Sequence, residues 1–223
     1  MPYAALHPNY DVLKAPETED LARVAADPKF PGLMIFGYRF ESLRDLKPLS
    51  AHLRALKISG APHLTSLDGI QDLPKLQEFV LSTSTGSAGS GRAIAVRSFA
   101  PLEGLPDLVR LVLQEVRPEE LDLSPIMRMT QLQEVDIGGV PEFQIEHYAH
   151  LARALPHARG RCLSPYVTIQ GVGRCSKCNG QSVLLNGSAP RARKWVCPKC
   201  NSKLLATHVA RWEGLTGKPY SPA

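Results

Sequence analysis

Long apolar runs are missing from this sequence. No stretch approaches the roughly 20 consecutive apolar residues that a membrane-spanning helix needs, so we expect no transmembrane segment. Residues 1–20 also lack a basic start followed by an apolar stretch, which is the pattern of a secretory signal. From these two absences we expect a cytoplasmic protein with no membrane association.

Catalytic sequence motifs are missing as well. The chain has no Walker loop, no dinucleotide-binding glycine fingerprint, no nucleophile elbow and no HExxH pair. The glycines at 86–91 and 171–173 lack the strand and helix that a phosphate-binding loop requires. We therefore expect a protein that is not an enzyme and that takes no small-molecule substrate.

Acidic residues are scarce near the C-terminus. Residues 161–223 contain ten Lys and Arg and one acid, Glu213, whereas residues 1–160 contain 16 Lys and Arg and 20 Asp and Glu. The formal net charge of +5 therefore combines an acidic body with a basic C-terminal part. Such a split suggests a polyanionic or acidic partner for that part. Docking on the body, or compensation of thiolate charge, explains the split equally well.

Cysteine is used sparingly, and four of the five cysteines form two Cys-x2-Cys pairs. Cys175 with Cys178, and Cys197 with Cys200, have the spacing with which two tight turns offer four thiolates to one tetrahedral zinc ion. A closed shell of four thiolates has no open position for water or substrate, so we expect a structural site. The fifth cysteine, Cys162, is expected to be a small buried hydrophobic residue.

Three other interpretations of the cysteine pairs remain open. Two disulfides or a dithiol redox pair have the same residue types, although a reducing compartment disfavours structural disulfides. Iron also accepts a tetrahedral shell of four sulfur atoms, so the sequence does not distinguish iron from zinc.

Apolar residues recur at every third position through much of the chain, a spacing that neither an α-helix nor an alternating strand produces. From Leu64 this spacing continues to Leu76 and Phe79, and then tightens to two residues at Leu81. The pattern predicts a coil that turns its apolar side chains inward at each corner and ends in a short strand. The strand-ending residues of the successive copies are Ile35, Ile58, Leu81, Leu113 and Ile137.

These strand ends are separated by 23, 23, 32 and 24 residues. A period of this length lies in the leucine-rich repeat range of about 20–29 residues. With the phrases GIQDLPKL at 69–76 and EGLPDL at 103–108, the chain resembles the short bacterial leucine-rich repeat family over residues 28–165. The resemblance implies an α/β solenoid with parallel strands on a concave binding face. The longest interval contains the small, polar stretch 82–92, which we interpret as a flexible loop.

The sequence departs from this family at the position three residues after each strand end. Many family members place Asn there, and its side chain satisfies buried backbone amides. Without that ladder, backbone groups or water must satisfy the amides. The residues found at this position are Tyr38, Ala61, Ser84, Val116 and Val140.

Three segments are predicted along the chain. Residues 1–27 form an N-terminal extension or cap. Residues 28–165 form the repeat domain, which is closed by a capping helix at 144–155, where the apolar spacing becomes helical, and by a last strand at Arg161–Leu163. Residues 166–223 form a domain that resembles four-cysteine zinc ribbons and ends in a helix.

The first candidate site is the concave face. In leucine-rich repeats the residues that alternate with the apolar strand residues point outward, and here they form a surface with both charge signs and several exposed apolar side chains. An apolar centre with a polar rim suits a protein partner, whereas a nucleic acid requires a continuous basic surface. The candidate residues are Met34, Phe36, Arg54, Lys57, Gln77, Glu78, Val80, Val109, Arg110, Val112, Gln133, Glu134 and Asp136.

The second candidate site is the strand that leads into the second cysteine pair. Arg191, Arg193, Lys194 and Trp195 combine basic side chains with an aromatic ring, as in proteins that stack single-stranded bases. Packing of Trp195 over the metal site is the simpler interpretation, since so small a domain has little other core. Our first hypothesis is therefore a protein-interaction scaffold, and the alternative is a nucleic-acid-associated protein that binds through the basic ribbon.

Overall fold

The computed structural model describes residues 9–83, 93–168, 173–187 and 195–221. Within these residues, strands alternate with short 3-10 turns in the first part of the chain, and helices are more frequent in the second part. In chain order the strands and α-helices are β1 (Asp11–Lys14), α1 (Thr18–Ala26), β2 (Gly32–Phe36), β3 (Ala55–Ser59), β4 (Glu78–Ser82), β5 (Ile94–Val96), β6 (Arg110–Gln114), β7 (Val116–Pro118), α2 (Ser124–Met127), β8 (Glu134–Gly138), α3 (Ile145–Ala154), β9 (Tyr166–Thr168), β10 (Val183–Leu185), β11 (Trp195–Val196) and α4 (Ser202–Thr216).

Six strands form one parallel sheet in the order β1-β2-β3-β4-β6-β8. Parallel strands at this sequence spacing, joined by turns that bury leucines, confirm the leucine-rich repeat fold. The structure adds β1, which pairs with β2 and lies within the segment that was predicted as an N-terminal extension or cap. The register places the five predicted strand-end residues in one row across the sheet: Ile35, Ile58, Leu81, Leu113 and Ile137.

The period of three in the sequence corresponds to 3-10 turns in the connections between strands. Such turns run over Arg44–Leu49, Ile70–Asp72 and Ala100–Gly104. A 3-10 turn has three residues per turn, so side chains three apart lie on the same side and all enter the core. Leu46 and Leu49 in the first of these turns, for example, are fully buried. Each fully buried leucine contributes roughly 1.5–3 kcal/mol, so the turns add to the core that the strands form with their own buried side chains.

A left-handed backbone turn follows five of the six strands of the large sheet. It lets the next amide continue the ladder between strands: Gly37 N–H donates to the carbonyl oxygen of Ser59 at 2.9 Å, and Gly60 N–H donates to that of Ser82 at 2.8 Å. Backbone groups therefore take the place of the Asn side chains that this sequence lacks. The residues with positive φ in these turns are Ala15, Gly37, Gly60, Glu115 and Gly139.

Backbone contacts divide the chain into two compact units, residues 1–140 and 141–223. The predicted capping helix is present as α3, and it belongs to the second unit together with the cysteine pairs. The boundary predicted at residue 165 stays an interpretation of the repeat pattern.

The predicted last strand at Arg161–Leu163 is wrong, because these residues form a 3-10 turn. The side-chain amide of Asn186 donates to the carbonyl oxygens of Arg161 and Ser164, both at 2.8 Å. Carbonyl groups of this turn thus bond to a side chain, and no named strand among the described residues pairs with it.

The second unit also contains a three-stranded antiparallel sheet in the order β11-β10-β9. Its apolar core is small: Val183, Leu185 and Val196 are buried, with Tyr166 and Leu205 packed against them. Helix α4 begins directly after the second cysteine pair. Among the described residues, no helix combines the length and the apolarity that crossing a bilayer requires.

Candidate metal centre and strand face

The fold brings the four paired cysteines together. The Sγ atoms of Cys175, Cys178, Cys197 and Cys200 all lie within 4.8 Å of one another, and those of Cys178 and Cys197 are 3.5 Å apart. Metal–sulfur bonds of about 2.3 Å in a tetrahedron place the sulfur atoms about 3.8 Å apart. The four side chains therefore have the donor set and the spacing to hold one metal ion.

Each cysteine pair closes a tight backbone turn. Asn179 N–H donates to the carbonyl oxygen of Cys175, and Asn201 N–H donates to that of Cys197, both at 2.8 Å. Asn179 has a left-handed backbone, with φ of 56°. Asn201 does not, because at φ −126° it is the residue that precedes the first turn of α4. The two turns thus resemble each other in hydrogen bonding but lead into different structures.

The four thiols differ in acidity. Backbone N–H groups of Lys177 and Cys178 point at the sulfur of Cys175 and lower its pKa to about 6. Hydrogen bonding with Cys178, and then burial, raise the pKa of Cys200 to about 12. Cys175 is therefore ready to ionise at neutral pH, whereas the Cys200 thiolate depends on a nearby cation.

Trp195 lies beside the metal centre, where it packs on backbone. Gly173 has φ of +77°, and a side chain at this position would overlap the Trp195 ring. The half-buried ring and the bare glycine thus fit together next to Cys175, which favours the packing role expected for Trp195. Arg191, Arg193 and Lys194 lie outside the described residues, so their nucleic-acid role stays a prediction.

The predicted concave face corresponds to the face of the large sheet opposite the leucine core, which we term the strand face. The register arranges its side chains in three rows across the strands. The rows are Gly32, Ala55, Glu78, Arg110 and Glu134; then Val12, Met34, Lys57, Val80, Val112 and Asp136; and then Lys14, Phe36, Ser59, Ser82, Gln114 and Gly138.

The first row contains a chain of buried ion pairs. Arg110 donates to both Glu78 and Glu134, with a distance of 2.7 Å from Nε of Arg110 to Oε1 of Glu134. Lys57 extends the chain from the second row, with its Nζ 3.2 Å from Oε1 of Glu78. Alternating charges along neighbouring strands satisfy one another, which is how four ionised groups tolerate burial.

The expected mixed-charge surface is therefore corrected. Glu78, Arg110, Glu134 and Asp136 are at most 6% exposed, and Val112 is 7% exposed. The alternation of the strands was predicted, but the pairing that draws these side chains out of solvent depends on which strands become neighbours.

Tyr10 is a component of this face that sequence reasoning missed. Its ring lies over Gly32, where an added Cβ would sit 2.7 Å from Cδ1 of the ring. The Lys57 ammonium is 4.3 Å from the ring centroid. Burial raises the pKa of the Tyr10 phenol, and the Glu78 carboxylate adds to the shift. Tyr10 lies outside the repeats, so no periodic signal pointed to it.

The part of the strand face on β1 to β4 remains accessible. Val12 is 54% exposed, and Met34, Phe36 and Val80 are half-buried. Lys14 is exposed on the same face. At the edge where the strands begin, Arg54 and Gln133 are exposed, while Gln77 and Val109 are half-buried. The accessible part of this face is thus apolar, with basic residues around it.

No family model and no curated protein matches this sequence. Among solved structures, internalin C2 from Listeria monocytogenes is similar at 17% identity and a TM-score of 0.32, over 65% of this chain and 73% of that chain. The internalin InlF from the same organism is similar at 14% identity and a TM-score of 0.30, over 64% of this chain and 54% of that chain. These TM-scores are too low to assign a fold or a function, so the fold assignment depends on the strand register and the leucine pattern of this chain.

Proposed function

We propose that this protein is a non-enzymatic interaction scaffold that binds a protein partner on the strand face, as the concave face of a leucine-rich repeat solenoid. The observation that carries the proposal is the accessible apolar part of that face: Val12, Met34 and Phe36 on the neighbouring strands β1 and β2, and Val80 on β4, on the far side of Lys57. Apolar side chains grouped at the centre of a polar surface are typical of protein interfaces.

The proposal extends to the metal centre and to the compartment. The four cysteines hold zinc in a closed structural site, so that residues 166–223 fold as a zinc ribbon in the reducing cytoplasm. Metal analysis of the purified full chain tests this directly. About one zinc per chain supports the proposal, whereas iron, or a pair of disulfides, overturns the zinc assignment.

The binding role is tested by affinity capture with the tagged full chain from its native host, with and without nuclease. The wild type is compared with Met34→Asp/Val80→Asp, which places two charges in the accessible apolar area. Ala95→Asp is the matched control, because Ala95 is exposed on β5, outside the large sheet. We expect one near-stoichiometric protein that survives nuclease, is lost with the double variant and is kept with the control.

Two results would overturn this proposal. Retention of the same partner by Met34→Asp/Val80→Asp would show that binding occurs elsewhere on the chain. Enrichment of nucleic-acid-binding proteins that disappears with nuclease would favour the basic C-terminal part as the working surface. Phosphate contacts would then also make binding fall steeply with salt.

A further inference from the structure

The strand face is electrostatically one-sided at its surface. All the carboxylates among its strand residues, Glu78, Glu134 and Asp136, are at most 6% exposed. Glu78 and Glu134 are bound by Arg110, and Glu78 is also bound by Lys57. The negative charges of this face are therefore covered, and a docking partner does not meet them directly.

The exposed charges of the accessible part are basic. Lys14 stands at the end of β1, and Arg54 immediately precedes β3. Neither has a salt-bridge partner among the described residues. The Lys57 side chain is 18% exposed and lies on β3, between Met34 and Val80 in the second row. Two cations without partners among the described residues thus lie at the ends of a diagonal that crosses β2 near Met34, and the partly covered Lys57 lies next to it.

Composition does not explain this basic surface. Residues 1–160 contain more acids than bases, so a random sample of their surface is expected to be slightly acidic. The excess of basic residues on the strand face arises because the sheet buries its acids and leaves these lysine and arginine side chains outside. Charge of one sign around an apolar centre selects partners of the opposite sign.

The distance between the two exposed cations sets the minimum length of a partner segment that contacts both. Lys14 and Arg54 lie two strands apart, about 10 Å, and are offset by five residues along the strand, about 16 Å. Their Cα atoms are then about 19 Å apart on the diagonal, which is about six residues of extended chain or 13 of helix. A short protein segment is long enough to reach both cations across the apolar centre.

We propose that the partner of the strand face is a protein segment with apolar side chains at its centre and carboxylates at both ends. This inference rests on the proposed function and specifies the chemistry of its partner. The apolar centre of the segment packs on Met34, Phe36 and Val80, and its Asp or Glu residues pair with Lys14 and Arg54.

The test uses the full chain and three labelled 14-residue peptides that share one apolar centre. The flanking residues are Glu and Asp in the first peptide, Ser and Gln in the second, and Lys and Arg in the third. Binding is measured by fluorescence anisotropy. We expect the acidic peptide to bind at least about tenfold more tightly than the neutral one, and the basic peptide to bind most weakly. Equal binding of the acidic and neutral peptides would overturn the inference.

Charge variants locate the binding site of the acidic peptide. Lys14→Glu/Arg54→Glu should weaken its binding about tenfold, and Lys14→Gln/Arg54→Gln about threefold, since both side chains are exposed and pair directly with the peptide. Lys47→Glu/Arg97→Glu, two exposed basic residues outside the large sheet, is the matched control and should change nothing. An equal loss with this control would indicate attraction by net charge alone and would overturn the inference.

Capture of the native partner with the two sets of variants distinguishes failure of this inference from failure of the proposed function. A captured protein that depends on Met34 and Val80 but is indifferent to Lys14→Glu/Arg54→Glu would overturn the acidic-segment inference and leave the scaffold proposal intact. A captured protein that is indifferent to both sets of variants would overturn the scaffold proposal itself.

Discussion

The two units of this protein achieve order by different means. In the repeat unit, each turn buries several leucines, and the core extends from strand to strand. Among the described residues, the small sheet of the second unit has an apolar cluster of three buried residues, Val183, Leu185 and Val196, yet four cysteine sulfur atoms of this unit lie within 4.8 Å of one another. A core of this size is too small to stabilise a sheet, which is why domains of this kind generally need a metal or disulfides.

This difference in core size affects which surfaces each unit can carry. The large apolar core of the repeat unit tolerates a sheet face with buried ion pairs, because the free-energy cost of dehydrating one such pair is small compared with the stabilisation from the core. The small sheet, with few buried apolar residues, has a smaller core to offset such a cost. Variants and metal removal should therefore affect the two units separately, and the following predictions run from the largest expected effect to the smallest.

Metal removal should have the largest effect and should be confined to the small sheet. Chelation, or Cys178→Ser, removes a contribution of about 10–16 kcal/mol for a structural zinc ion, more than the small core can replace. Hydrogen exchange should then increase in β9 to β11 while β2 to β6 stay protected. Cys162→Ala is the control and should keep the metal. Loss of protection in the large sheet would show that the two units do not fold independently.

Truncation of a core side chain should have the next largest effect on stability, and this effect should occur in the repeat unit. Phe79 is fully buried on the central strand β4, so Phe79→Ala should destabilise the unit by about 3–5 kcal/mol in chemical denaturation. Val12→Ala, at an exposed position of the same sheet, should change stability little. Equal effects of the two variants would contradict a core located on one side of the sheet.

Glycine-to-alanine substitutions should change the free energy of unfolding in opposite directions in the two units. Gly60 has φ of +79° and no close neighbours, so Gly60→Ala should cost about 1–2 kcal/mol through backbone strain alone. Gly214 lies in helix α4 with nothing near its Cα, so Gly214→Ala should stabilise the helix by up to about 1 kcal/mol. Thermal denaturation of both variants tests this contrast, and a neutral Gly60→Ala would count against the left-handed turn as a requirement of the repeat.

A surface ion pair should have the smallest effect, and one that depends on pH. Arg128 donates two hydrogen bonds to Glu103, and this bonding lowers the pKa of Glu103 below its usual value of 4.5. The stabilisation is therefore present above pH 4.5 and is lost as pH falls through the lowered folded-state pKa. Glu103→Gln should melt slightly lower than the wild type at pH 7 and equally at pH 2. A difference that persists at pH 2 would assign the effect to packing.

Much of the repeat unit was predictable because its signal is periodic. The strand ends at Ile35, Ile58 and Leu81 follow from leucine spacing, since every copy must bury the same positions. The edge strand β1 and the ring of Tyr10 were not predictable, because they occur once and outside the repeats. Arg161–Leu163 was predicted as a strand because a repeat array needs a closing unit, whereas it forms a 3-10 turn that accepts a hydrogen bond from Asn186, 25 residues from Arg161 in sequence.

The cluster of four cysteines was predictable for a different reason. Cys-x2-Cys pairs encode their local turns directly, and two such turns have few ways to use four thiolates other than a shared ion. That they converge across 19 residues, from Cys178 to Cys197, is a tertiary result.

The sequence by itself determined the repeat period, the leucine core, the strand ends within it and the pairing of the four cysteines, because these depend on local spacing and on residue type. Only the tertiary structure decided which charges of the strand face reach solvent. Lys57, Glu78, Arg110 and Glu134 come from four different strands, and neighbouring strands have to align before one charge neutralises the next. Burial of those acids leaves a basic, apolar surface that the composition of the chain does not suggest.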